Sequence, residues 1–418
     1  AMLPCRGILH AWSLDLPATE ELTAVALVES QVQSSVAALK LVQAIAQTEW
    51  AERPRLWFIT QGTQAVGDDK SLALAQTPLW GLGRVVAEEH PEFWGGLIDL
   101  EATAVPEATA AILAEIVQHP EGENQFAVRQ QEQVVARFKR VETAVRPSTP
   151  LTWKPDASYL VTGGLGGVGY VTAQWLARQG ARHLVLLGRT PLPPRSEWAQ
   201  VPPEASVRPR LDRLVALERL GVTVHYAAVD VADEAALTGW LARYRDEQWP
   251  PIRGVFHAAV LIDDQLLLNL DADSLQNVLL PKMVGGWLLH QQLPDLDYFV
   301  LYSSLGAVWG QVGQGNYAAA NTFLDGLAHY RQLHGLPGLS VNWGAWVGLG
   351  LAAESGTLRT IQELKTQGIE GFTAAQGLAA QQLLLETAVP QAAVIPVNWQ
   401  KYQQAQVEMV GRERPFLK

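Results

Sequence analysis

Short apolar runs alternate with longer amphipathic stretches along nearly the whole chain. That alternation predicts parallel sheets covered by helices. In the first part, residues 7–14 and 55–60 read as strands, separated by a long helical stretch over 20–48 rich in Ala, Leu, Val and Gln. A helix over 80–89, a strand at 96–100, a helix over 106–118 and strands at 126–129 and 133–140 follow. Residues 145–155, proline-rich and without apolar periodicity, read as a linker. Beyond it, strands are expected at 159–161, 183–187, 222–229, 254–257, 298–302, 339–342 and 394–397. A second proline-rich stretch, 191–209, reads as an extended surface insertion.

The two parts share this grammar but differ after one strand. Residues 61–69, QGTQAVGDD, carry no glycine cluster, whereas Thr162-Gly163-Gly164-Leu165-Gly166-Gly167-Val168-Gly169 follows the apolar run at 159–161 and opens a helix over 168–178. Glycine is needed where a strand reverses tightly into a helix, where backbone approaches a pyrophosphate, and where helix and strand pack closely. Free amides at the helix N-terminus then face the phosphates. The expected fold is therefore α/β, with two Rossmann-like subdomains of doubly wound parallel sheets, the first truncated and without a cofactor cradle. The boundaries are 1–147, 148–402, and a tail or linker over 403–418.

Length and charge narrow the class. At 418 residues two domains are expected, and 48% hydrophobic residues supply their cores. A formal charge of −11, from 31 basic and 42 acidic residues, argues against nucleic acid as a partner. The single Cys5 excludes an internal disulfide framework and offers no thiolate metal cluster. No apolar run approaches the roughly 18 residues of a membrane span, so a cytoplasmic protein with no membrane contact is expected. The apolar segment just after the N-terminus suggests a piece of a longer protein.

The next strand ends in Gly188-Arg189. A carboxylate there would bind the ribose hydroxyl of NAD, whereas an arginine offers a charged fork to a 2′-phosphate, so NADPH is the expected cofactor. Asp230, in VDVAD, could accept from the adenine amino group or simply cap a turn, and Arg189 could simply be an exposed strand-end residue.

The stretch 303–321, SSLGAVWGQVGQGNYAAAN, carries the proton chemistry. Hydride addition to a ketone leaves an alkoxide, so an acid must deliver a proton. Tyr317, with an ordinary pKa of about 10, is the candidate, provided that a cation such as Lys282 lowers it. A lowering by about three pH units corresponds to roughly 4 kcal/mol. Ser304 could hold the carbonyl oxygen, and Asn321, four residues beyond Tyr317, shares its helical face. A solvated lysine, a core aromatic and a strand-end turn are the plainer readings of these residues one at a time.

Taken in order, these motifs closely resemble the ketoreductase domain of modular polyketide synthases, in the short-chain dehydrogenase/reductase superfamily, over nearly the whole chain. TPLWGLGRVVAEEHPEFWGGLIDL (77–100) resembles its non-catalytic structural subdomain. VTGGLGGVG, LLGR, HAA, PKMVGGWLLH, the 303–321 stretch and SVNWGAW (340–346) resemble its catalytic one. The resemblance implies a tetrad of Lys282, Ser304, Tyr317 and Asn321, in which Asn321 stands where most relatives of the superfamily have the lysine. It also implies cofactor contacts at Val231, His257, Ala258 and Ala259 and at Lys282 and Tyr317 themselves. Residues 342–346 would lie beside the nicotinamide, and 349–368, starting at Leu349, would form a helical lid.

The family's stereochemical markers disagree. Trp309 resembles that of L-alcohol producers, Ile262-Asp263-Asp264 that of D-alcohol producers, and Gln314 stands where a His would mark epimerised substrates. The two aspartates favour the D-alcohol. The activity implied is NADPH-dependent reduction of a β-ketoacyl chain on an acyl carrier protein, among neighbouring synthase domains, by a domain monomeric when excised. A free-standing ketone reductase and a redox-silent or epimerising domain are the alternatives.

Overall fold

Near-continuous runs of Val, Leu, Ile and Phe build the strands because both faces of each sheet are covered, as in Tyr159-Leu160-Val161 and Leu184-Val185-Leu186-Leu187, all fully buried. The structure, a computed structural model, describes residues 5–67, 69–102, 106–119, 122–141, 151–349, 364–387, 389–410 and 415–417.

The first sheet runs β1 (Gly7–His10), β2 (Arg55–Gln61), β3 (Trp94–Leu100), β4 (Gln125–Arg129) and β5 (Glu132–Val135), in that spatial order. The first four are parallel, and β5 returns antiparallel across a turn in which Gln130 and Gln131 both have positive φ. Its helices are α1 (Ala24–Gln31), α2 (Ala37–Gln47), α3 (Pro78–Glu89) and α4 (Pro106–Gln118). The strand expected over 7–14 stops at His10 and gives way to a 3₁₀ turn. The single helix expected over 20–48 is interrupted by a π-helical stretch, Val32–Val36. Ser30 and Ser34 there donate back to the carbonyls of Ala26 and Ser30, which competes with regular helix bonding.

The second sheet is parallel throughout: β6 (Ser158–Thr162), β7 (His183–Gly188), β8 (Thr223–Ala228), β9 (Ile252–His257), β10 (Tyr298–Ser304), β11 (Leu339–Trp343) and β12 (Gln391–Val394). Their order, β12-β11-β10-β9-β6-β7-β8, reverses direction beside β6, and such a switch point is where open α/β sheets bind ligands. The covering helices include α5 (Gly167–Gln179), α6 (Arg208–Glu218), α7 (Glu234–Asp246), α8 (Ala272–Gln292), α9 (Leu305–Trp309), α10 (Gly315–Leu333), α11 (Ala374–Thr387) and α12 (Trp399–Val410). Both regions are Rossmann-like, as expected.

A further expectation needs correction. The last strand is Gln391–Val394, not 394–397; its Ala-Ala pair carries little strand signal, and the more apolar residues after it run past the sheet. Residues 403–410 continue α12, and Phe416 packs with Phe138, their ring centroids 6.0 Å apart. The expected boundary at 147/148 lies outside the described residues.

The two regions share one core. Helix α3 lies against α10, and Leu82, Val85 and Val86 join Leu267, Ala318, Ala319 and Leu324 in a single buried cluster. Their approach needs glycine: a Cβ on Gly81 would sit 2.3 Å from the Ala318 carbonyl oxygen.

Candidate active site

The strand ends of the two sheets differ chemically. In the first, the buried Asp99 carboxylate accepts from Thr60 (2.7 Å), Thr63 (2.6 Å) and Arg129 (2.7 Å), and Trp80 donates to Thr60 (3.0 Å). The strand ends there are tied together by side-chain hydrogen bonds around a buried carboxylate. In the second, β6 turns at Gly163, with φ +64, and the Gly166 amide donates to the Gly163 carbonyl at 2.8 Å before α5 begins. Gly169 packs so tightly that a Cβ would meet the Gly163 carbonyl oxygen at 2.3 Å. Gly164 and Leu165 are buried beneath this turn, while Gly163, Gly166, Gly167 and Val168 reach its surface.

Thr162 and His257 lie under the cradle. Their side chains meet at 2.9 Å, and the Thr162 hydroxyl also accepts from the Ala259 amide at 3.0 Å, which ties the ends of β6 and β9 together with Ala258 between them. His257 is fully buried; burial, then the nearby Lys282, lowers its pKa to about 3, so it is neutral. Asp230 accepts from the Ala232 amide at 3.0 Å, as a turn cap does, and Val231 is buried against Gly285.

Beside the cradle is a cavity of about 350 Å³ lined by Gly163, Gly188, Arg189, Ser206, Arg210 and Arg213, among others. Arg189 is the expected member. Arg210 and Arg213 went unnoticed in the sequence, although RPRLDRL places them three apart on one helical face. The proline-rich stretch is not simply extended: it contains a 3₁₀ turn, Arg195–Gln200, with Arg195 stacked on Trp198 at 4.0 Å, and it delivers Ser206 and α6 to the cavity.

At the C-terminal end of β10 the structure brings the tetrad together. Lys282, from α8, lies 5.6 Å from the Tyr317 ring centroid and donates to the Tyr302 carbonyl at 2.7 Å. Asn321 donates to the Tyr317 carbonyl at 2.7 Å, and Ser304 accepts from the Gly306 amide at 3.2 Å as the N-cap of α9. The expected lowering of the Tyr317 pKa is not found. Burial pushes it up, against hydrogen bonds to Asn321 and Ser304. Burial also drags Lys282 down to about 7, against the attraction of Asp325, so the cation is itself weakened by the site that holds it.

In the loops before Tyr317, Gln314 donates to Asp264 (2.8 Å), Gln265 to Asp263 (3.0 Å), and Asn316 to the Asp263 carbonyl (2.7 Å), with Ile262 half-buried in the same stretch. Trp309 is buried in an aromatic cluster with Phe138 and Tyr402. Asn342 is buried and donates to Asp325 (2.9 Å) and Ser303 (2.9 Å). Leu349 is half-buried against the second core, and 350–363, most of the expected lid, lie outside the described residues.

The profile of the KR domain family matches residues 157–348, and that of the Rossmann fold domain of the polyketide synthase extender module SpnB matches 9–138. A solved structure of A-type ketoreductases from a modular polyketide synthase superposes with a TM-score of 0.79 at 33% identity, covering 97% of this chain and 80% of that one. This chain belongs to the polyketide synthase ketoreductase family. A C2-type ketoreductase from a modular polyketide synthase is similar too, with a TM-score of 0.81 at 30% identity over 99% of this chain and 83% of that one. Among curated relatives, the 5-methyl-1-naphthoate synthase of Streptomyces sahachiroi is 38% identical over 85% of this chain. The ketoreductase chain spans only 20% of that relative's length. Family membership makes it an oxidoreductase of the short-chain dehydrogenase type. Among the described residues no helix is long and apolar enough to cross a membrane, and no cluster of metal-ligating side chains is found.

Proposed function

We propose that this ketoreductase reduces a β-ketoacyl thioester, carried on an acyl carrier protein, to the β-hydroxyacyl thioester with NADPH. The observation that carries the reading is the convergence of Tyr317, Lys282, Ser304 and Asn321 at the end of β10, two strands from the glycine turn of β6. The residues suit such a cofactor. Bare backbone at Gly166 and Gly167 and the N-terminal amides of α5 suit a pyrophosphate, and Arg189, Arg210 and Arg213 around one cavity suit a 2′-phosphate.

When bound at this cradle, NADPH would supply a hydride to the carbonyl carbon. The Ser304 hydroxyl donates to the carbonyl oxygen, and Tyr317 passes its proton to that oxygen as the C=O π electrons collapse onto it. A phenol held protonated by burial is the form that can donate. The Lys282 cation offsets the tyrosinate that remains, and Asn321 holds the helix backbone beneath it. Asp263 and Asp264, bonded to Gln265 and Gln314, support the D-alcohol, and Trp309 is occupied by its packing against Phe138 and Tyr402.

The test is NADPH consumption with a β-ketoacyl pantetheine thioester, beside a titration of NADPH against NADH and chiral analysis of the alcohol. Tyr317→Phe is expected to lower turnover by at least about 10²-fold. Tight NADPH binding by the wild type without reduction would replace this reading with that of a redox-silent domain.

A further inference from the structure

Two acidic residues, Glu88 and Glu89, close α3 where the helix dipole disfavours negative charge, and no basic residue shares that last turn. A residue set against its local electrostatics points to a tertiary contact that compensates. For Glu89 that contact crosses from the first region to the second. One carboxylate oxygen accepts from the Gly313 amide at 2.8 Å and the other from the Leu267 amide at 2.7 Å. The two amides belong to different loops. One loop carries Ile262, Asp263 and Asp264; the other carries Gln314 and leads into Tyr317.

Other bonds make these loops one unit. The Gln265 amide donates to the Gly313 carbonyl at 2.8 Å, alongside the side-chain bonds of Gln314 to Asp264 and of Asn316 to the Asp263 carbonyl. Gln43, on α2, grips the same turn from its carbonyl side: its amide donates to the carbonyls of Leu267 and Leu270, both at 2.8 Å. The Leu267 side chain between them is fully buried in the shared core. The Leu267 N–H and C=O are thus both held by the region that lacks a cradle, while Leu266, Leu268 and Val312 in the same loops stand exposed.

We propose that Glu89 and Gln43 are positioning residues through which the non-catalytic region sets the height and tilt of this loop pair over Tyr317, and with it the face of the ketone that is reduced. The inference rests on the reductase reading above. It is tested with Glu89→Ala, Glu89→Gln and Gln43→Ala in the full chain. The measurements are the enantiomer ratio of the alcohol, KM and kcat, NADPH affinity, and amide hydrogen exchange over 260–270 and 310–316.

Glu89→Ala is expected to erode the enantiomer ratio by about fivefold or more and to raise KM more than it lowers kcat. Exchange in both loops should quicken, with NADPH affinity within about twofold of wild type. Glu89→Gln, which keeps one acceptor, should fall between, and it carries the test with Gln43→Ala should the alanine variant misfold. Folded variants with wild-type enantiomer ratio and wild-type loop exchange would overturn the proposal alone. A wild type that forms no alcohol would overturn both this proposal and the reductase reading.

Discussion

His257 shows how far a single residue's surroundings can depart from its sequence context. The imidazole is sealed beneath the cradle on Thr162, and with a pKa of about 3 it refuses a proton that the unfolded chain accepts near 6.5. A proton bound only by the unfolded state makes folding stability fall as pH drops from about 6.5 towards 3. His290, lowered to about 4 by burial and by Arg331, adds to the same limb. Each group contributes a slope of at most about 1.4 kcal/mol per pH unit. Thermal melts between pH 7 and 4.5 should therefore show Tm falling with acid, and His257→Asn, though less stable at pH 7, should fall less steeply. An unchanged slope would remove His257 from this role. That Lys282, Ser304, Tyr317 and Asn321 lie close together was legible because their motifs, in order, resemble those of a known family. Glu89 was not, because its two partners lie 178 and 224 residues away and its own neighbourhood, EEHPE, reads as a solvated helix end.

Between elements, the contact of α3 with α10 decides the most. A glycine inside a helix ordinarily gains roughly 1 kcal/mol when changed to alanine. At Gly81 the added methyl would press on the Ala318 backbone carbonyl at 2.3 Å, and backbone cannot swing aside as a flexible side chain can. Overpacking of this kind costs about 1–3 kcal/mol and outweighs the helical gain. Gly81→Ala is expected to lower Tm and also kcat, since α10 carries Tyr317 and Asn321; a stabilised and fully active variant would refute the packing argument. The apolar pattern placed most strands and helices well because each buries a continuous face. It failed where a polar detail intervened, at the serines of the π-helical stretch and at the weakly apolar Gln391–Val394 edge strand. The pocket arginines of α6 escaped because the proline-rich stretch before them reads as surface, and only its folded path brings them beside Arg189.

At the scale of the whole molecule, two sheets with separate hydrogen-bond networks share one buried cluster that draws on α1, α2 and α3 from one side and α8 and α10 from the other. Regions that share a core should not melt apart. Calorimetry is expected to give one transition with matching calorimetric and van't Hoff enthalpies, and two resolved transitions would show the shared cluster to be weaker than its burial implies. The general plan, two Rossmann-like units with only one cradle, was legible because a glycine cluster is a local signal. Their mutual dependence was not, because it resides in Gly81, Arg84 and Glu89 meeting residues more than a hundred positions away.

That dependence bears on the grafting of reductases between assembly lines. An exchange that cuts at the linker and imports only the cofactor-binding half would set a foreign α10 against the native α3, with no guarantee of a glycine opposite the carbonyl or a carboxylate opposite the loops. The unit that keeps these contacts is the pair, cut outside both sheets and including α12.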